Sequence, residues 1–141
     1  MSGEDATDAR DDAVRDVRDR PATVLVVDDE PAIRRFVARA IAKDLDIVEA
    51  GDGRSAIEVV RADSARLVLL VCDLSLPDVG GEEVIRIARA LRPNLAIVVM
   101  TGWDPGSAAD ALGDAGPVGW LAKPFTAARL REVVDATLAG R

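Results

Sequence analysis

Short apolar runs recur along the chain from Ala22 onward, and each run predicts a β-strand. They occupy residues 23–27, 46–50, 67–72, 96–100 and 118–122. The first, third and fourth runs are rich in Val, Ile and Leu without polar alternation, which is typical of strands covered on both faces. The pattern therefore predicts a sheet whose central strands are buried.

Amphipathic segments separate the apolar runs, and their apolar residues recur at helical spacing. The predicted helices are 31–43, 54–62, 82–91, 105–115 and 126–138. Pro31 suits the first position of the first helix, and Thr126 suits the N-cap of the last. The segment 105–115 has the weakest helical signal because Pro105, Gly106 and Gly113 all lower helix propensity.

Apolar stripes on four of these segments predict the faces that pack against the sheet. They are Ile33, Phe36, Val37, Ala40 and Ile41; Ala56, Ile57 and Val60; Val84, Ile87, Ala88 and Leu91; and Leu130, Val133, Val134 and Leu138. Five β–α units in succession predict an α/β fold with an open, doubly wound parallel sheet. In such sheets ligands bind outside the carboxyl ends of the strands.

The N-terminal segment differs in composition from the rest of the chain. Residues 1–20 contain seven acidic residues, four arginines and only Val14 and Val17 as sizeable apolar residues. So little apolar surface does not offset the entropy of ordering. We therefore predict a disordered acidic tail over 1–21 and one domain over 22–141.

Composition narrows the possible partners and the compartment. The net charge of −7 argues against direct nucleic-acid binding and against binding to anionic membranes. A single Cys excludes an internal disulfide. The longest apolar run, 67–72, is too short to span a bilayer, and the acidic N-terminus lacks the apolar core of a signal peptide. We expect a cytoplasmic protein.

Polar side chains follow four of the five predicted strands. Asp28 and Asp29 follow the first strand, Asp73 the third, Thr101 the fourth and Lys123 the fifth. Because the carboxyl ends of parallel strands lie on one rim, three carboxylates, a hydroxyl and an ammonium should meet in one shallow cleft.

A divalent cation would offset the repulsion among three neighbouring carboxylates. Oxygen ligands, with no His in the chain and no pair of thiols, favour Mg²⁺. A lone Lys and a Thr hydroxyl across the cleft could hold phosphoryl oxygens. The set of groups therefore indicates metal-assisted phosphoryl transfer onto a carboxylate.

Four motifs at these strand ends resemble the receiver domain of two-component response regulators. In chain order they are VVDDE, CDLSLPDVGG, MTG and KPF, and the resemblance covers residues 23–139. It implies a flavodoxin-like fold with strand order 2-1-3-4-5. It also implies that the protein accepts a phosphoryl group from a sensor histidine kinase or a histidine phosphotransfer protein.

The resemblance implies a role for each residue of the cleft. Asp73 would be the phosphoacceptor. Asp29 and Asp73 would bind Mg²⁺ directly, Asp28 would act mainly through a bound water, and the backbone carbonyl of Ser75 would be a further ligand.

Two more residues of the cleft would act on the phosphoryl group itself. Lys123 would pair with Asp73 at rest and with the phosphoryl group after transfer, and Thr101 would move to hydrogen-bond that group. Pro124 would follow Lys123 in a peptide that is often cis in the family.

Two tryptophans depart from the family pattern. Trp120 stands at the switch position, three residues before the Lys, where Tyr or Phe is usual, and its larger ring puts the usual coupling to Thr101 in doubt. Ser75 and Trp103 occupy the two positions that tune hydrolysis of the acyl phosphate in the family. We expect Trp103 to shield the phosphoryl group from water.

The chain ends shortly after the fifth predicted helix, which suggests a stand-alone receiver that signals through contacts with an unknown downstream protein. Phosphorylation should change the face formed by residues 104–135. We expect no enzyme activity beyond self-directed phosphoryl transfer and autodephosphorylation.

Other functions remain open from the residues alone. A Mg²⁺-dependent phosphohydrolase with an aspartyl-phosphate intermediate would need a second acid two residues after Asp73, where Ser75 stands. A degenerate receiver acting as an interaction module is disfavoured because every residue of the cleft is present. The motif GDGRSA, 51–56, loosely matches a dinucleotide fingerprint but follows the second strand, which favours an ordinary β–α turn. Cys72 is expected to be a small buried apolar residue.

Overall fold

The computed structural model describes residues 22–41, 45–113 and 116–140. The predicted tail, 1–21, lies outside these ranges. Five strands and five helices alternate along the described chain. The strands are β1 Thr23–Val27, β2 Asp46–Ala50, β3 Leu67–Asp73, β4 Ala96–Thr101 and β5 Gly119–Ala122. The helices are α1 Pro31–Ile41, α2 Gly53–Asp63, α3 Gly81–Leu91, α4 Pro105–Leu112 and α5 Ala127–Ala139.

All strand pairs are parallel, and the sheet order is β2-β1-β3-β4-β5. The predicted doubly wound fold is therefore confirmed. In the register of the sheet, Val27 lies opposite Cys72 and Asp73 lies opposite Met100. The carboxyl ends of the three central strands thus stand level and form one rim.

Two apolar layers enclose the sheet. On one face, β1, β3 and β4 pack against α2, α3 and α4 through Ala56, Val60, Val84, Ile85, Ala88, Ala108 and Leu112. On the other face they pack against α1 and α5 through Val37, Ile41, Leu130, Val133 and Val134. Every residue of β1 and β4 is buried, as the unbroken apolar runs predict.

The prediction that Phe36 and Leu91 pack against the sheet is wrong. Phe36 is 40% exposed and Leu91 is 45% exposed. Phe36 packs against Phe125, with ring centroids 5.9 Å apart, rather than into the sheet. In α3 the fully buried isoleucine is Ile85, whereas Ile87 is only partly buried. The stripes of α1 and α3 therefore each include one exposed residue, because spacing alone does not say which edge of a stripe meets the sheet.

The weakest predicted helix does form. The Asp104 side chain accepts a hydrogen bond from Ser107 N at 2.9 Å, which caps the N-terminus of α4. Ala108 and Leu112 are buried against α3 and the sheet. Capping and burial thus outweigh the low propensity of this segment. The helix ends at Leu112, and its C-cap residue Gly113 has a φ of +59°.

The edge of the sheet opposite the carboxyl rim is held by Arg89 of α3. Its guanidinium donates hydrogen bonds to the carbonyl oxygens of Pro93, Leu95 and Pro117, at 2.9, 2.7 and 2.7 Å. One cation therefore ties the connection into β4 to the connection into β5.

The segment that follows Asp73 packs tightly against the start of α3. A Cβ placed on Gly81 would lie 2.1 Å from the carbonyl oxygen of Asp73 and 2.8 Å from the Cα of Leu74. Gly81 N also donates to Leu74 O at 3.1 Å. Because both obstructing atoms belong to the backbone, only glycine fits at this position.

We predict that Gly81→Ala destabilises the protein by about 1–3 kcal/mol, because the added methyl must displace the backbone at Asp73. Urea denaturation followed by circular dichroism measures the change. Gly106→Ala is the matched control, since a Cβ there meets nothing within 4 Å. The control should be neutral or more stable than wild type, because Gly is unfavourable inside helices. Equal urea midpoints for Gly81→Ala and Gly106→Ala would contradict the prediction.

Candidate functional site

The rim is assembled by backbone hydrogen bonds that continue past the ends of the strands. Asp28 N donates to Ala50 O, Leu74 N donates to Met100 O and Lys123 N donates to Thr101 O, at 3.2, 3.1 and 2.9 Å. These bonds fix the backbone of the first residues beyond the sheet. The side chains of Asp28, Asp73 and Lys123 therefore project from defined positions into one cleft.

Three carboxylates meet in this cleft. Asp28 is fully buried and Asp73 is nearly so, whereas Asp29 is exposed. One oxygen from each lies within 4.8 Å of the others. At that separation ionised carboxylates repel one another, so the cluster needs compensating positive charge.

Lys123 supplies part of that charge. Its Nζ donates to Asp28 Oδ2 at 2.7 Å and to Asp73 Oδ2 at 3.0 Å. The ammonium therefore bridges the two buried acids, while its side chain stays partly open to solvent. The Lys123–Pro124 peptide is cis.

Backbone amides hold the other oxygen of each buried acid. Glu30 N donates to Asp28 Oδ1 at 2.9 Å, and Ser75 N donates to Asp73 Oδ1 at 3.1 Å. Every carboxylate oxygen of these two residues thus has a donor, and both side chains are oriented in advance of any ligand.

The cleft raises the pKa values of both Asp73 and Lys123. Burial raises the pKa of Asp73 above its ordinary value, although the Ser75 amide and Lys123 counteract part of this effect. Burial alone would lower the pKa of Lys123, but the hydrogen bonds to Asp28 and Asp73 outweigh it and the pKa is raised. Lys123 therefore remains a cation at neutral pH.

Arg34 is a residue of the site that the sequence analysis missed. Its guanidinium donates to the carbonyl oxygen of Asp28 at 2.7 Å and to Glu49 Oε1 at 3.1 Å. It thereby ties the Asp28 backbone to β2. Its sequence context gives little indication of this role, because an Arg in the first turn of an amphipathic helix is ordinarily exposed to solvent.

Thr101 and Trp103 lie at the other side of the rim, whereas Trp120 lies within β5, opposite Val99 of β4. Thr101 is buried, and its Oγ1 accepts a hydrogen bond from Trp103 N at 2.8 Å. Trp103 and Trp120 are 42% and 37% exposed. The Thr101 hydroxyl therefore contacts the segment that leads into α4.

The GDGRSA segment forms a β–α turn. Asp52 caps α2 by accepting from Ser55 N at 2.8 Å, and Ala56 is buried. The first amides of α2, those of Gly53 and Arg54, already donate to the carboxylate of Asp78. An anionic side chain thus occupies the position where a pyrophosphate would bind.

The donor set fits a small divalent cation. Three carboxylates and nearby backbone carbonyls provide oxygen ligands, which Mg²⁺ prefers. Each buried carboxylate keeps lone pairs beyond the two hydrogen bonds it accepts. The acidic pocket is therefore suited to Mg²⁺.

A parallel sheet in the order 2-1-3-4-5 with a lysine-bridged cleft on its carboxyl rim defines a doubly wound α/β protein with an acidic pocket. The family model for the response regulator receiver domain matches residues 24–135. The chain belongs to this family and contains the receiver domain of two-component signalling.

Relatives agree with this assignment. The probable transcriptional regulatory protein TcrX of Mycobacterium tuberculosis is 37% identical over 116 residues, which cover 82% of this chain and 47% of that protein. The response regulator MprA of Mycolicibacterium vanbaalenii is 36% identical over 122 residues, covering 83% and 52%. The chain thus spans about half the length of these relatives.

Solved structures share the fold. The receiver domain of AraT, a response regulator from Geobacillus stearothermophilus, superposes with a TM-score of 0.72 at 33% identity, covering 84% of this chain and 94% of that one. The chemotaxis protein CheY4 of Vibrio cholerae gives a TM-score of 0.73 at 26% identity, with 83% and 98% covered. Within the described ranges, none of the helices has the length and apolarity needed to cross a membrane.

Cys72 precedes Asp73 but faces the apolar core and is fully buried. Its Sγ lies 3.4 Å from the Asp73 carbonyl oxygen. Burial, followed by the charges of Asp73 and Asp28, raises the pKa of the thiol far above its ordinary value. The reactive thiolate is therefore suppressed.

We predict that iodoacetamide does not modify Cys72 in the folded protein at pH 8, because the thiol is both inaccessible and protonated. Mass spectrometry should detect no adduct until guanidinium unfolds the chain, after which one adduct forms. Free cysteine in the same tube reports that the reagent is active. Rapid modification of the native protein would contradict the buried position.

Proposed function

We propose that this protein is a phospho-accepting receiver in which Mg²⁺-dependent transfer of a phosphoryl group to Asp73 changes protein–protein contacts. The observation that carries the proposal is the bridge from Lys123 to both Asp28 and Asp73 inside the carboxylate cluster. A buried acid held by a lysine and an amide is poised to react at a single position.

The ligands for Mg²⁺ would be the carboxylates of Asp29 and Asp73 and the backbone carbonyl of Ser75, with Asp28 acting mainly through water. When bound, Mg²⁺ neutralises charge on the transferring phosphoryl group. Asp29 is the exposed acid of the three and can reach a cation that enters from solvent.

Asp73 would act as the nucleophile. A carboxylate oxygen of Asp73 forms a bond to phosphorus while the bond from phosphorus to the imidazole nitrogen of a phosphohistidine breaks. The products are an acyl phosphate on Asp73 and a free histidine on the donor. Lys123 then pairs with the phosphoryl oxygens instead of the Asp73 carboxylate.

The phosphoryl donor would be a sensor histidine kinase or a histidine phosphotransfer protein of the cytoplasm. An apolar groove of about 550 Å³ opens beside Lys123 and is lined by Ala32, Ile33, Phe36, Pro124 and Phe125. A protein donor could bury this groove while it presents its phosphohistidine to Asp73, and the exposure of Phe36 is consistent with such contact.

Thr101 and Trp120 would carry the change outward. A new phosphoryl group on Asp73 offers oxygens to the Thr101 hydroxyl, which at rest accepts from Trp103 N. Movement of Thr101 would alter the segment that enters α4, and the face formed by residues 104–135 would change with it. Trp120 on β5 would then follow Thr101, although its ring is larger than the family's usual Tyr or Phe.

The phosphohydrolase alternative lacks a general acid. The residue two positions after Asp73 is Ser75, whose amide orients the Asp73 carboxylate. With no acid there to assist the departure of an alcohol and the attack of water, self-directed phosphorylation and dephosphorylation remain the favoured chemistry.

We predict that acetyl phosphate with Mg²⁺ adds one phosphoryl group, about 80 daltons, to the wild type and none to Asp73→Asn, because the amide is not a nucleophile. Intact-mass spectrometry measures the addition. Asp46→Asn, which alters an acid at the opposite edge of the sheet, should be phosphorylated like wild type. Phosphorylation of Asp73→Asn would contradict the assignment of Asp73 as phosphoacceptor. Steady turnover of p-nitrophenyl phosphate by the wild type would favour the phosphohydrolase.

We predict that Trp103→Ala shortens the lifetime of the acyl phosphate, because the exposed indole of a residue bound to Thr101 would shield phosphorus from water. Decay of the phosphorylated mass after removal of acetyl phosphate gives the rate. Leu91→Ala removes another exposed apolar side chain, distant from the rim, and should leave the rate unchanged. An unchanged lifetime for Trp103→Ala would refute the shielding role.

A further inference from the structure

The loop between β3 and α3, residues 74–80, is attached at its far side to a neighbouring helix. Asp78 Oδ1 accepts a hydrogen bond from Gly53 N at 2.8 Å, and Asp78 Oδ2 accepts one from Arg54 N at 3.1 Å. Both donors belong to the first turn of α2, about 25 positions earlier in the chain. The loop that follows Asp73 is thus held by a carboxylate of its own.

This long-range contact is distinct from the local cap of α2. Asp52 already caps the helix by accepting from Ser55 N, and its carbonyl accepts from Ala56 N. The two amides bound by Asp78 are the ones that Asp52 leaves unused. The Gly53 amide is the strongest of several backbone donors that lower the pKa of Asp78 below its ordinary value. Asp78 is therefore ionised at neutral pH and complements the helix N-terminus.

The loop backbone also lies directly against α2. A Cβ on Gly53 would stand 2.4 Å from the carbonyl oxygen of Val79, so only glycine permits this approach. The close packing places the N–H groups of Gly53 and Arg54 within reach of Asp78. The carboxylate and the packing therefore act together to fix one end of the loop.

The other end of the loop carries the reacting groups. Ser75 N holds Asp73 Oδ1, and Ser75 itself is exposed. Pro77 and Asp78 are exposed as well, and Leu76 is only partly buried. Leu74 anchors the start of the loop in the core, but the residues after it bury little apolar surface, so their position depends on hydrogen bonds.

We propose that Asp78 is a positioning residue for phosphoryl transfer. By binding the first turn of α2 it holds the loop so that the Ser75 amide orients Asp73 and the Ser75 carbonyl faces the Mg²⁺ site. The proposal rests on the proposed function of the cleft and adds to it a residue that touches neither the cation nor the phosphoryl group. Supporting residues of this kind typically change metal affinity about 10- to 100-fold when they are removed.

The test compares Asp78→Ala with Asp52→Ala. Each variant removes a carboxylate that binds amides in the first turn of α2, but only Asp78→Ala releases the loop. Mg²⁺ affinity is measured by titration of tryptophan fluorescence, since Trp103 lies near the cleft. Amide hydrogen exchange over 74–81, recorded without Mg²⁺, measures the loop independently of any activity.

We predict that Asp78→Ala weakens Mg²⁺ binding about tenfold, slows phosphorylation by acetyl phosphate and speeds exchange over 74–81. Asp52→Ala should keep wild-type Mg²⁺ affinity and wild-type exchange in that loop. Asp78→Asn retains one acceptor oxygen and turns an N–H₂ toward the other amide, so its Mg²⁺ affinity should fall between wild type and Asp78→Ala. It also serves if Asp78→Ala folds poorly.

The outcomes separate this inference from the proposed function. If wild type binds Mg²⁺ and Asp78→Ala binds it equally well, the positioning role is wrong. Equal weakening in Asp78→Ala and Asp52→Ala would also overturn it, because the effect would then follow general loss of α2. If wild type itself neither binds Mg²⁺ nor gains a phosphoryl group, the proposed function fails. In that case the loop restraint is still tested by amide exchange, and it is wrong if Asp78→Ala exchanges over 74–81 at the wild-type rate.

Discussion

The structure of the rim depends on electrostatic repulsion that a single cation reduces. Three carboxylates lie within 4.8 Å of one another, and Lys123 contacts the two that are buried. In a region of low dielectric constant such a cluster would otherwise take up protons or separate. Lys123 balances only part of the negative charge of the three carboxylates, so the cluster still attracts a further cation. This shortage of positive charge supports the Mg²⁺ binding and the phosphoryl transfer that we propose for the site.

Backbone atoms, rather than side chains, set the geometry of this cluster. The hydrogen bonds that continue past β1, β3 and β5 fix the residues just beyond the sheet, and amides of Glu30 and Ser75 orient the buried acids. Arg34 and Asp78 lie outside the cluster, and each makes hydrogen bonds that hold a backbone segment next to one of its acids. The geometry of the cleft therefore depends in part on residues that lie outside it.

The fold and the convergence of the acidic cleft could be predicted because both follow from rules of parallel sheets. Unbroken apolar runs mark buried strands, and strand ends in such sheets share one rim, so Asp28, Asp73 and Lys123 had to meet. Phe36 was misassigned because a helical stripe does not show which of its edges faces the sheet. Asp78 was missed for a different reason: its partners lie in α2, and a single exposed Asp in a turn gives no signal of a contact so distant in sequence.

The two edges of the sheet differ in the partners of their cations, Lys123 at the carboxyl rim and Arg89 at the opposite edge. At the carboxyl rim, Lys123 contacts two anionic side chains, whereas the guanidinium at the opposite edge binds three carbonyl oxygens, which carry no net charge. The connection that follows α4 is therefore anchored through Pro117, while the connection that precedes α4 begins at the hydroxyl of Thr101. A change of charge in the cleft would therefore act first on the segment that begins at Thr101, while the hydrogen bond from Arg89 holds Pro117 in place.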